Sequence, residues 1–110
     1  MSNLRGPTVD TRAGDTVCLP VSPDGPFGVV FIPDADGCAA VIDAFERLPN
    51  GKFGLIQRHG GIHVGDVLME INDTSLMNYK FQDVMKMVAD RNILKKEFKF
   101  INSREYYRRK

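Results

Sequence analysis

Two histidines, His59 and His63, stand four residues apart, the spacing at which a helix would put two imidazoles on one face to grip a metal ion. Gly60 and Gly61 lie between them and argue against a helix, so the pair reads as two exposed loop histidines. The cysteines, Cys18 and Cys38, lack the Cys-x-x-Cys spacing of a redox or zinc site. No serine or cysteine sits in a nucleophile motif such as Gly-x-Ser-x-Gly. Asp66, Glu70 and Asp73 read as turn and surface carboxylates rather than paired acids. The residues therefore imply no metal, no cofactor and no enzymatic activity.

Composition narrows the class further. A chain of 110 residues with 43% hydrophobic content suffices for one compact domain and no second one. A net charge of +1 gives no long-range field for nucleic acid or anionic lipid, and no apolar stretch approaches the length needed to span a bilayer. The N-terminus lacks the basic-then-apolar pattern of a signal peptide, which points to a cytoplasmic module with reduced thiols, a disulfide being the unsupported alternative; a monomer is expected. Were the chain a fragment of a larger protein, its targeting signals would lie elsewhere.

Hydropathy sets out the elements that must position any site. Residues 1–14 are polar and unpatterned, which suggests a flexible arm. Val17, Leu19 and Val21 alternate as one face of a first strand, and Pro20 between them favours a free edge. Phe27 to Ile32 forms a short apolar strand ended by Pro33. Asp34 to Gly37 turns into a longer strand from Cys38 to about Glu46. A helical turn is expected over Leu55 to Arg58. Phe81, Val84, Met85 and Val88, at i, i+3, i+4 and i+7, define the one long helix, with Asn78 available as its N-cap. Lys96 to Asn102 closes the domain as a strand with Phe98 and Phe100 on one face. The order is mainly β with two helices, an α+β domain of five to six antiparallel strands over residues 15–102, followed by a basic and aromatic tail or linker at 103–110.

The run Gly60-Gly61-Ile62-His63-Val64-Gly65-Asp66-Val67-Leu68-Met69-Glu70-Ile71-Asn72 feeds a tight turn into an alternating strand. Gly65 can take positive φ, Asp66 can bond the turn backbone, and Val67, Met69 and Ile71 share one strand face. This phrase, of the form Gly-x-Val-Gly-Asp-x-Leu-x-x-Ile-Asn, resembles the PDZ family. A second piece, Pro26-Phe27-Gly28-Val29, is similar to that family's carboxylate-binding loop and stands in the right order.

The resemblance implies a small antiparallel barrel-like sandwich whose ligand adds as a strand between the second strand and the main helix. The backbone N–H groups of Phe27, Gly28 and Val29 would converge on a partner's C-terminal carboxylate. Val29, Val30, Phe31 and Ile32 would supply the strand edge. Phe27, Val29, Phe31, Met85 and Val88 would line an apolar pocket for the last ligand side chain, whose burial is worth roughly 1.5–3 kcal/mol. Many relatives place at the helix's first groove-facing position a histidine that bonds a Ser or Thr two residues before the ligand's end. Phe81 stands there in this chain and can make no such bond, so a ligand ending in hydrophobic-x-hydrophobic is expected.

Two departures bear on that expectation. The loop Ser22-Pro23-Asp24-Gly25-Pro26 offers an acid where relatives often carry Arg or Lys, and Asp24 would oppose an incoming carboxylate. Pro33 lacks an N–H and should end the ladder about two pairing steps beyond Val29. Weak binding is expected, and an internal peptide segment is an open variant.

Plainer roles compete with each of these. By pattern alone, Phe81, Val84, Met85 and Val88 are an ordinary core face, and Gly28 and Gly65 are turn glycines. A PDZ module can also serve as the regulatory part of a larger protease or signalling enzyme. The segment Ser103-Arg104-Glu105-Tyr106-Tyr107-Arg108-Arg109-Lys110 interleaves aromatics and cations as a contact for lipid headgroups or single-stranded nucleic acid would, though such ends are commonly solvated tails or linkers.

Overall fold

The alternating Val17, Leu19 and Val21 lie in β1 (Thr16–Val21), which pairs antiparallel with the closing strand β6 (Lys96–Ile101) from Thr16 opposite Ile101 to Val21 opposite Lys96. The computed structural model describes residues 16–23 and 25–110. The expected arm at 1–14 and the opposing carboxylate of Asp24 lie outside the described residues.

Between these strands come β2 (Val29–Ile32), β3 (Ala40–Phe45), α1 (Leu55–His59), β4 (Val67–Ile71), β5 (Thr74–Ser75) and α2 (Phe81–Ala89). A further helix, α3 (Ser103–Arg109), follows β6. The strands form one six-stranded antiparallel sheet in the order β1-β6-β4-β3-β2, with β5 on β4. β1 and β2 are therefore the outer strands. Pro20 sits in one of them, where its missing N–H leaves no gap inside the sheet.

β4 departs from simple alternation. Val67, Leu68 and Met69 are all buried in succession. The register against β6 slips between Leu68 and Glu70, and α3 packs on β4 with the Arg109 guanidinium against Met69 Sδ, so both faces of the strand are covered. The turn before it follows the expected chemistry. Gly65 has φ +94°, and the Asp66 carboxylate accepts the His63 N–H at 2.9 Å.

One core gathers Ile42, Ile56, Leu76, Val84, Phe98, Phe100 and Tyr106 among others. α2 contributes Val84 and Val88 to it, while Phe81 and Met85 stay half-buried at its margin. The cap of α2 is Lys80, not Asn78, and it caps without a side-chain bond. Lys80 bridges to Cys38, and the Phe81 N–H donates to Gly37 O at 3.0 Å, so the turn after β2 does the work of a capping side chain.

The segment expected as a basic and aromatic tail or linker begins with α3, which packs on the domain. α3 is capped by Asn102, whose side chain accepts the Glu105 N–H at 2.9 Å, and Glu105 pairs with Arg109 at 3.0 Å. Tyr106 is wholly buried. The cations expected to face a surface are thus partly engaged within the domain, and no separate anchor follows from their spacing.

Candidate functional site

Gly28 opens the site. Its φ of +74° turns the chain from Phe27 into β2, and its carbonyl accepts the Glu46 N–H at 2.9 Å. A Cβ there would lie 3.0 Å from both Glu46 O and Gly54 Cα, and one on Gly54 would lie 2.5 Å from Phe27 O. Two backbones therefore cross in near contact under the loop, which fixes its path. Among the described residues, neither the Phe27 N–H nor the Gly28 N–H reaches a hydrogen-bond acceptor.

The ladder fixes which way β2 presents its polar groups. Val29 stands opposite Phe45, and the bond from Glu46 N–H to Gly28 O brackets that pair, so the Val29 N–H and C=O point away from β3. Alternation puts Phe31 on the same outward side, whereas Val30 and Ile32 turn their backbone inward to β3. The next outward position is Pro33, which has no N–H. Among the described residues no strand pairs with that edge. It offers two residues' worth of unpaired donors and acceptors and then stops.

Side chains divide along the same strand. Val29 and Phe31 are half-buried and pack on the core, as do Phe27, Phe81 and Met85, while Val88 is buried at 7% exposure. Val30 and Ile32 are exposed on the opposite face. All six expected pocket residues therefore adjoin one core surface, with Phe81, Met85 and Val88 spaced along a single face of α2.

Lys96 was not singled out by sequence. It is buried at 2% exposure, and its ammonium donates to Val88 O at 2.8 Å, Asp90 O at 3.0 Å and Pro23 O at 3.2 Å. It also lies 6.0 Å from the centre of the Phe27 ring, which in turn sits 5.2 Å from Phe98. One cation thus satisfies the last carbonyls of α2 and ties them to the loop that leads into Phe27. A lone Lys among the charges of Lys95, Lys96 and Glu97 carries no mark of burial in sequence.

Asp34 was also missed as more than a turn residue. Its carboxylate is buried and accepts the N–H groups of Asp36 at 2.8 Å and Cys38 at 2.9 Å, the Tyr106 hydroxyl at 2.6 Å, and the Lys110 ammonium. Burial alone would push this carboxyl up, but the bonds from Lys110, Tyr106, Cys38 and Asp36 outweigh it and hold the group at about 2. Burial and Asp34 together push the Tyr106 hydroxyl up. Desolvation opposes the charge on Lys110, yet Asp34 and Asp36 raise its pKa overall.

The two histidines do not share a helix. α1 ends at His59, whose Nδ1 accepts the Gly61 N–H at 3.1 Å, and His63 is exposed beyond the turn. Cys18 and Cys38 are both free thiols. Among the described residues no group of three or more His, Cys, Asp or Glu could hold a metal ion, and no helix is long and apolar enough to cross a membrane.

The fold defined by this strand order, with β2 at the edge and α2 against β3, is the PDZ fold. Among solved structures, the chain is similar to the PDZ domain of GIPC from a choanoflagellate, with a TM-score of 0.62 and 22% identity over 81% of this chain and 91% of that one. A second structure of the same domain, bound to GAIP peptide, matches with the same TM-score, identity and coverage. No family model matches the sequence, and no curated protein does.

Proposed function

We propose that this chain is a non-catalytic peptide-binding module that takes the C-terminal end of a partner protein as an added strand along β2. The observation that carries this reading is the outward polar edge: the N–H groups of Phe27 and Gly28 without acceptors, followed by Val29 and Phe31 facing away from β3. Three successive N–H groups, of Phe27, Gly28 and Val29, suit a carboxylate, and the half-buried Phe27, Val29, Phe31 and Met85 with the buried Val88 suit an apolar last side chain. A similar PDZ domain bound to a peptide supports peptide binding in general.

Phe81 at the head of α2 has no hydrogen-bonding group, so the residue two before the ligand's end should be hydrophobic rather than Ser or Thr. Because Pro33 ends the edge, residues further upstream add little, and affinity falls at the weak end for such modules. Fluorescence polarisation against randomised C-terminal peptides, as free acids and as amides, tests this. Free-acid binding to hydrophobic-x-hydrophobic ends, shifted toward Ser or Thr by Phe81→His, is the expected result. Equal binding of acid and amide would replace the C-terminus with an internal segment, and no binding to either would sink the proposal.

A further inference from the structure

The turn from Asp34 to Cys38 joins both walls of the groove. On one side it continues β2 through Pro33. On the other, Gly37 O accepts the Phe81 N–H at 3.0 Å, Tyr79 O accepts the Ala39 N–H at 3.0 Å, and Cys38 bridges to Lys80, so the turn supplies the cap for the first residue of α2. A surface hollow of about 450 Å³, lined by Asp36, Gly37, Lys80, Phe81 and Gln82, opens between the turn and the head of α2. The turn's own bonds centre on Asp34. Asp34 N–H donates to Cys38 O at 2.8 Å, Gly37 N–H donates to Asp34 O at 3.0 Å, and the Asp34 carboxylate accepts the Asp36 and Cys38 N–H groups at 2.8 and 2.9 Å.

α3 clamps this turn from behind at four points. Tyr106 donates its hydroxyl to Asp34 Oδ2, Lys110 reaches both Asp34 and Asp36, and the Tyr107 hydroxyl accepts the Ala35 N–H at 3.0 Å. None of these three side chains, from α3 and its C-cap Lys110, lines that hollow. They act through the turn.

We propose that Tyr106 and Lys110, through Asp34, are positioning residues for ligand selection: by holding the Asp34–Cys38 turn they fix Phe81 relative to the end of β2 and so set the preference two residues before the ligand's end. This rests on the peptide-binding reading above. Because the clamp reaches the groove at Phe81 and Pro33 and not at Phe27, its loss should alter that one subsite and leave recognition of the last residue and of the carboxylate intact.

The test uses the full chain as wild type, Tyr106→Phe, Lys110→Gln and Lys110→Arg, with free-acid peptides that end in hydrophobic-x-hydrophobic and versions carrying Ala at either hydrophobic position. Wild type should discriminate at both positions. Tyr106→Phe and Lys110→Gln should lose roughly five- to tenfold of the discrimination two residues before the end and none at the last residue, and Lys110→Arg should retain both. Amide hydrogen exchange, which needs no ligand, should quicken at Phe81 and Ala39 in Tyr106→Phe and Lys110→Gln but not at Val67 or Phe98. Unchanged exchange at Phe81, or an equal loss at both ligand positions, would overturn the inference while leaving peptide binding in place. Failure of wild type to bind any free-acid peptide would instead remove the peptide-binding reading and this one with it.

Discussion

Tyr106 donates its hydroxyl to Asp34 Oδ2 across 2.6 Å, and 72 positions of sequence separate the two. The bond joins the last helix to the turn that follows the strand bearing the open edge. A buried carboxylate held by four donors is destabilised when any one is removed, because desolvated charge is left behind.

Acid should release that bond in a defined window. The Asp34 carboxyl lies at about 2 in the folded protein against an ordinary 3.8, so its contribution is complete above pH 3.8 and is lost as pH falls from there through about 2. The difference corresponds to about 2 kcal/mol. Urea unfolding of wild type and Asp34→Asn checks this. The gap between them should be constant near neutrality and close over the acid window, and a gap that persists at pH 2 would show that charge on Asp34 is not its source.

Lys96→Met should destabilise the domain by about 3 kcal/mol, since it strands the carbonyls of Pro23, Val88 and Asp90 in a buried place. Thermal unfolding measures the loss. Lys96→Arg, which keeps charge but has a wider fork, should fall between the two.

Gly28→Ala should cost about 1–2 kcal/mol from the left-handed backbone alone. The added methyl also presses on Glu46 O and Gly54 Cα, so the loop must shift and peptide affinity should fall along with stability. An alanine variant of wild-type stability and affinity would mean that the φ of +74° at Gly28 is not required.

Asn102→Ala should lower stability by about 1 kcal/mol through loss of the α3 cap. Denaturant midpoints measure it.

The strands and the main helix were legible because each writes its own period into the sequence. Val17, Leu19 and Val21 alternate, Phe81, Met85 and Val88 recur on one helical face, and the Gly65-Asp66 turn carries its own bonds. The PDZ fold followed from two such phrases in order. α3 was harder to see. Asn102 and Glu105 form the start of a capping pattern, but seven residues are too few to hold a helix by propensity, and what orders this one is the burial of Tyr106 against a partner 72 positions away. Lys96 and Asp34 escaped for the same reason: a charged residue reads as exposed until its buried partners are known. Asn78 was the better cap by residue type, yet Gly37 O had already taken the role at Phe81.

The most direct test of strand addition is amide hydrogen exchange of the full chain with and without a free-acid peptide ending in Leu-Ala-Val. The account predicts that Val29 and Phe31 gain protection on binding, while Val30, already facing β3, and Cys18 on the far edge of the sheet do not change. Protection gained on β1, or spread evenly over β2 without alternation, would contradict it.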